Sequence, residues 1–358
     1  HSIETLKGFR YMLTAGIKIT RLHQSAMKFI ITTVTVLILF VMNLYIGSVN
    51  LSASEVSGIL MGRSDGGTAE FIVLGSRLPM AVTALLAGAG LAVSGLLLQT
   101  AFRNPLAGPS ILGISSGASL GVALVMLLLG GTISAGTVSI GGYAAVITGA
   151  FFGSLLIMAI LLSLSTVLKN DLMLLITGIM IGYLVSSAIM LLNYVSTAEG
   201  VQSYVMWGMS TFNGVSLSQL PLFVGLTTAG LVIALLLVKP LNLILLGDGY
   251  ARNLGVNIGR VRNVLLLATG ILTAAITAFC GPVSFIGLAV PHIARLIFRT
   301  DDHRTLMPAT ILVGGGVTLC CNLLCVLPVN SILPVNAVTP IIGAPVVIWI
   351  LLRGRKRA

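Results

Sequence analysis

Few residues in this chain are equipped for chemistry, and none are spaced for it. The four cysteines, Cys280, Cys320, Cys321 and Cys325, lie in apolar runs without C-x-x-C spacing, so they read as small buried hydrophobes rather than metal or redox ligands. There is no H-E-x-x-H, no aspartate pair in an apolar segment and no serine with a histidine at matching depth, which excludes the usual routes to hydrolysis within a membrane. Haem-carrying spans need paired histidines, and these are missing. No G-x-x-x-x-G-K-[ST] occurs, so the chain has no P-loop with which to bind ATP. His292 and Arg295 stand near the end of an apolar run and read as structural, the arginine snorkelling to the interface. The chain is expected to bind no metal and no cofactor of its own.

What remains is the passage of a solute, and the charge distribution agrees. Charged residues make up 8% of the 358 and the mean hydropathy is +1.08, against about 25% charged in a soluble domain. No Asp, Glu, Lys or Arg occurs from Asn104 to Leu168, or from Leu172 to Ala198. A membrane-spanning helix takes about 20 apolar residues. Glycines inside apolar runs (Gly88, Gly90, Gly95, Gly178, Gly182) are expected to let helices pack closely.

The apolar runs are 29–49, 78–101, 110–129, 143–167, 173–195, 217–238, 263–280, 283–298, 306–327 and 337–352. The expected fold is therefore an all-α polytopic membrane protein with about ten transmembrane helices. With the N-terminus inside, 18 of the 20 basic residues fall on the cytoplasmic side, and only Arg63 and Arg77 fall outside. That segregation follows the positive-inside rule, places both termini in the cytoplasm, and explains the net charge of +11 without nucleic acid. The organisation is a basic segment 1–28, a ten-span domain 29–352 and a basic tail 353–358. Residues 201–213, with Tyr204 and Trp207, read as a short interfacial helix on the outer side.

Several long motifs resemble one family. Arg77–Gly121 reads RLPMAVTALLAGAGLAVSGLLLQTAFRNPLAGPSILGISSGASLG, Gly281–Ile297 reads GPVSFIGLAVPHIARLI, and Leu333–Leu352 reads LPVNAVTPIIGAPVVIWILL. With GSVNLSASEV and YVMWGMSTFNGVS, these are similar to the FecCD/BtuC permeases of binding-protein-dependent ABC importers, which take up iron–siderophore complexes, haem and cobalamin. The resemblance implies a BtuC-like permease fold. It also implies a pore formed with a second copy of the chain, two ABC ATPase subunits that hold ATP and Mg, and an extracytoplasmic substrate-binding protein. The location implied is the bacterial cytoplasmic (inner) membrane.

The same resemblance implies site residues. The segment 245–262 looks like the ATPase-coupling element, which points to Gly249, Ala251, Arg252, Leu254 and Gly255. The path is lined by the fifth and tenth spans, which points to Met173, Met180, Ser187, Met190 and Asn193, and to Thr339, Gly343 and Trp349. Flexible methionines suit a weakly polar, low-affinity path. The cytoplasmic gate corresponds to Asn104 and Leu106, and to Asn170 and Asp171; Asn104-Pro105 also reads as a plain turn. Arg77 matches a position that meets carboxylates of the binding protein. Met80 and Val326 stand where the family often has arginine, and Asn322 where it often has aspartate. Asn336 and Pro340 are further departures. A competing expectation is an ion-coupled secondary transporter acting without an ATPase. Against it, the spans hold no mid-depth acid or base.

Overall fold

Hydrocarbon offers a backbone no hydrogen-bond partners, so apolar runs must satisfy their own N–H and C=O groups, and here they do so almost entirely as helices. The computed structural model describes residues 2–63, 66–135, 138–168, 170–327 and 332–354. In chain order these form α1 (Ser2–Tyr45), α2 (Ala53–Leu60), α3 (Thr68–Glu70), which continues through a π-helical stretch Phe71–Arg77 into α4 (Leu78–Ala101), and α5 (Ile114–Ala123), extended by a second π-helical turn Leu124–Leu128. After a hairpin come α6 (Gly142–Val167), α7 (Asp171–Val195), α8 (Ala198–Gly208), α9 (Leu220–Leu236), α10 (Val238–Leu245) and α11 (Asp248–Asn253). The chain closes with α12 (Ile258–Cys280), α13 (Ile286–Phe298), α14 (His303–Val326) and α15 (Val335–Gly354).

Each of the ten apolar runs falls on a helical element, but they are not ten equal spans. Among the described residues, six helices are long and apolar enough to cross a membrane. A seventh candidate is the pair α9–α10, bent by 47°. Pro240 sits in the first turn of α10; it lacks an N–H and its ring crowds the carbonyl four residues back, so the rod breaks there. Ile114–Leu128, Ile286–Phe298 and Val335–Trp349 are shorter. At about 1.5 Å per residue, the 13 residues of α13 reach roughly 20 Å, short of a hydrocarbon core of about 30 Å. The spans are all helical; the connection between Gly130 and Gly142 carries a short antiparallel hairpin, β1 (Thr132–Ala135) with β2 (Val138–Gly141), pairing Thr132 with Gly141 and Ala135 with Val138.

Burial ranks the helices. The spans containing α4, α12 and α14 are 83%, 78% and 72% buried, whereas α7 is 22% buried and the span on α1 only 6%. The first three are the hub, and small residues make it possible. A β-carbon at Gly88 of α4 would overlap the Gly314 carbonyl of α14, and one at Gly95 would overlap the Gly287 carbonyl of α13. Gly117 and Gly121 of α5 face Gly153 and Gly149 of α6 in the same way. These are paired small-xxx-small faces, the packing on which bilayer helices depend. Of the other glycines singled out, Gly90 and Gly178 are tightly packed, while Gly182 has only ordinary contact. Cys280, Cys321 and Cys325 are buried, Cys320 is half-buried, and all four are free thiols.

Candidate translocation path and its cytoplasmic connections

Apart from α1, α7 is the least buried of the long spans. At 100° per residue, Met173, Ile176, Met180, Tyr183, Ser187, Met190 and Tyr194 fall along one side, and all are exposed. Four of the five residues expected on this helix therefore share a stripe. Asn193 does not. It lies about 60° beyond the stripe's edge at Met190, half-buried, with an Oδ1 that meets no hydrogen-bond partner among the described residues. Tyr183 and Tyr194 belong to the stripe and were not expected. The seven-residue steps 173–180–187–194 carried that information, since they return to nearly the same helical face. The stripe contains thioether, hydroxyl and phenol groups and no charged residue.

α15 corrects the other half of the expected lining. Thr339 is buried and donates its hydroxyl to Val335 O at 3.1 Å. Gly343 is buried, and a β-carbon there would come within 2.8 Å of Phe285 Cβ. Both face the protein, because the glycine admits the left-handed Phe285 (φ 67°) ahead of α13. The open side of α15 carries Ala337, Ile341, Pro345 and Ile348, with Trp349 beside them. Pro340 and Pro345 lie inside this helix and each removes one backbone donor.

At the expected gate, Asn104 closes a turn by accepting the Leu106 N–H on Oδ1 at 2.9 Å. Leu106 is exposed at its tip. The loop is fixed from α13: His292 Nε2 donates to Pro105 O at 2.8 Å. Gln99, at the end of α4, donates to Leu288 O at 3.2 Å and accepts from Arg295 at 2.8 Å. Asn170 caps α7 by accepting the Leu172 N–H at 2.9 Å, and Asp171 is the first residue of that helix.

In the coupling segment, Gly249, Arg252, Leu254 and Gly255 are exposed. Ala251 is fully buried and is corrected to a packing residue that seats α11 on the body. Leu245, Leu246 and Tyr250 add exposed apolar surface next to Leu254, so a compact apolar knob projects here. Gly255 (φ 81°) ends α11 in the left-handed region, where a glycine carries no steric cost. Two contacts tie the knob to the loops. Arg103, one residue before Asn104, is ion-paired with Asp248 of α11. Arg262 in α12 donates to Leu168 O at 3.1 Å, beside Asn170. Asp248 is an acid in an otherwise basic segment, and that contrast was the missed sequence signal.

Arg77 is also corrected. It is 3% exposed and its guanidinium donates to Leu44 O (2.9 Å), Tyr45 O (2.8 Å) and Val49 O. It satisfies the carbonyls that end α1 and has no face to offer another protein. Met80 and Val326 are buried apolar residues, and Asn322 donates to Asn43 Oδ1 at 2.7 Å. Asn43 in turn donates to Leu319 O at 3.2 Å. A neutral amide pair between α1 and α14 thus occupies the place expected of charges. Asn336, near the start of α15, accepts from Ser284 N (3.1 Å) and donates to Gly208 O (3.1 Å) and Pro282 O (2.6 Å). In α8, Tyr204 stacks on Trp207 at 6.2 Å, and burial pushes its phenol up from the usual range, partly offset by a hydrogen bond with Ser119.

Apolar spans, an uncharged exposed helix face and a projecting apolar knob are the features of a multi-pass membrane protein of the transport class. Comparison with known proteins gives the family. The model described as the FecCD transport family matches residues 35–353, and the chain belongs to that family. It is 37% identical to the vitamin B12 import system permease protein BtuC of Klebsiella pneumoniae, over 78% of this chain and 82% of that one. It is 35% identical to the hemin transport system permease protein HmuU of Yersinia pestis, over 90% and 95% respectively. A solved structure described as an inward-facing conformation of a metal-chelate type ABC transporter superposes with a TM-score of 0.78 at 29% identity, covering 90% of this chain and 97% of that one.

Proposed function

We propose that this chain is the membrane-spanning permease subunit of an ATP-driven ABC importer and forms the path for an iron chelate (siderophore or haem) or cobalamin. The observation that carries the reading is the family match across residues 35–353, supported by relatives named for vitamin B12 and hemin import. Two copies enclose the path between their α7 stripes. The three shorter helices complete ten crossings of the bacterial cytoplasmic (inner) membrane, with both ends of the chain in the cytoplasm. Two ATPase subunits, which hold ATP and Mg, receive the knob around Leu254, and an extracytoplasmic binding protein delivers cargo. The stripe contributes no acid or base for an ion-coupled carrier, and the carrier acting alone has no observation in its favour.

The Arg103–Asp248 and Arg262–Leu168 links give the knob a physical route to both loops. A displacement of α11 by the ATPase biases where Asn104, Leu106 and Asn170 sit, and differential contact in two states is what shifts a population. The test is uptake into proteoliposomes with the ATPase subunits and binding protein present. Leu254→Glu is expected to abolish ATP-driven uptake while leaving the permease folded. Undiminished uptake by that variant overturns the assignment of the knob.

A further inference from the structure

His303 opens α14, outside the stripe, the expected gate and the coupling segment. It is 1% exposed, and a buried polar ring needs partners. It finds them on two other helices. On one side, its Nδ1 lies 2.9 Å from Oδ1 of Asn242 in α10, and that same oxygen accepts the His303 N–H at 2.8 Å. The other end of the amide donates from Nδ2 to Asp302 Oδ1 at 2.6 Å. Asp302 in turn caps α14 by accepting the Arg304 N–H at 2.9 Å. A backbone N–H only donates and a carboxylate only accepts, so these partners fix which way the amide is turned. Nδ1 therefore carries the ring proton and donates it to Asn242. On the far side, Nε2 lies 2.9 Å from Oγ1 of Thr100 in the last turn of α4. With its proton on Nδ1, the neutral ring accepts the Thr100 hydroxyl there.

The ring thus stands between two elements already described. α10 lies between the 47° bend from α9 and Gly247 (φ 110°), beyond which α11 carries the knob. Leu241 and Ile244 bury one side of α10, and Leu245 and Leu246 are exposed at its end. It has the form of a short lever with the knob at its free end. α4 stops at Ala101, just ahead of Arg103 and Asn104. The Arg103–Asp248 pair runs alongside, but its side chains are 55% and 41% exposed, so water screens it. His303 and Thr100 are buried, and a hydrogen bond broken between them is not replaced by water.

We infer, resting on the importer reading above, that His303 is a positioning residue for coupling. It holds α10 to the end of α4, so that a displacement of the knob reaches the Asn104–Leu106 loop through the imidazole. It touches neither cargo nor nucleotide and acts through Asn242 and Thr100. The two ring nitrogens make the link divisible. An asparagine amide at this position reaches as far as Nδ1, and a glutamine amide as far as Nε2. His303→Asn therefore keeps the α10 side and drops α4, and His303→Gln does the reverse.

The test uses the importer assembled in proteoliposomes, with cobalamin, haem and a ferric siderophore offered in turn and ATP hydrolysis measured beside uptake. His303→Asn, His303→Gln and Thr100→Val are each expected to keep ATP hydrolysis within about twofold. Uptake per ATP is expected to fall about fivefold, the factor that one hydrogen bond of this kind contributes. Thr100→Ser keeps the hydroxyl and is expected to retain full coupling. Thr100→Val changes little but the hydroxyl, so it decides the matter even where a histidine variant fails to assemble. Uptake per ATP unchanged in Thr100→Val overturns the proposal, as do hydrolysis, uptake and Tm falling together, which is the mark of a merely structural contact. No ATP-driven uptake by the unaltered chain refutes the importer reading itself, and this proposal with it.

Discussion

The α5–α6 contact permits a sharp test of why this chain carries so many glycines. In Gly117→Ala the new β-carbon would lie 2.5 Å from the Gly153 carbonyl oxygen and 2.5 Å from Ile157 Cγ1. Ordinary contact begins near 3.4 Å, so the helices must separate by about 0.9 Å or bend. Overpacking of this kind costs about 1–3 kcal/mol. Replacing a helical glycine by alanine returns about 1 kcal/mol through helix propensity, which leaves a net loss of up to about 2 kcal/mol, and the 2.5 Å approaches place this site toward the upper end. Adding Gly121→Ala, whose β-carbon overlaps the Gly149 carbonyl, deepens the loss. Gly225→Ala in α9 is the control: nothing lies within 4 Å of its β-carbon, so the propensity term alone predicts a gain of up to about 1 kcal/mol. The buried Cys280, Cys321 and Cys325 make a thiol-reactive dye a direct reporter of thermal unfolding in detergent. The expected result is a fall in Tm for Gly117→Ala and an unchanged or higher Tm for Gly225→Ala. Shifts of the same sign in both variants refute close backbone approach as the reason for these glycines. Because α5 also packs on α7, the destabilised variant is expected to lose uptake as well.

Three more outcomes follow from the site. Reversing Arg103 to Asp or Asp248 to Arg alone is expected to lower ATP-coupled uptake severalfold, with the double reversal restoring part of it; both side chains are about half exposed, so stability should change by less than about 1 kcal/mol, and a double variant no better than the singles denies the link. Single cysteines at positions 180, 183 and 187 of a cysteine-free chain are expected to react with a water-soluble thiol reagent in the assembled importer faster than cysteines at 193 or 339; equal rates contradict the stripe. Asn322→Leu strands the Asn43 carbonyl oxygen and is expected to cost about 1 kcal/mol, read in the same thermal assay, whereas a neutral result assigns that amide pair no role in joining α1 to α14.

Much of the architecture was legible because a bilayer imposes one rule on every span. Each apolar run became helix, and the glycine-rich runs became the tightest contacts. Direction was less legible. The runs 283–298 and 337–352 were already the short ones, and the break at Gly281–Pro282 already parted two runs; what hydropathy did not report was the 47° bend between α9 and α10 at Pro240. On α7, Met173, Met180, Ser187 and Met190 share one exposed face because helical periodicity is fixed by geometry. Thr339 and Gly343 of α15 were misplaced because the side facing inward depends on what packs there, and Phe285 in a left-handed conformation is a tertiary fact. Ala251 and Arg77 went wrong for a related reason. A small residue is equally suited to docking a partner and to seating a helix, and an arginine beside an outer loop can spend all its donors on carbonyls at home.

The amide of Asn336 has a mechanical consequence. With its three hydrogen bonds it clamps the start of α15 to the last residue of α8 and to the unwound stretch between α12 and α13. No one of these segments of backbone can slide past another without stripping a half-buried amide of its partners. This end of the chain therefore moves as one plate, and relative motion is left to tilts of whole helices and to the loops at the opposite end.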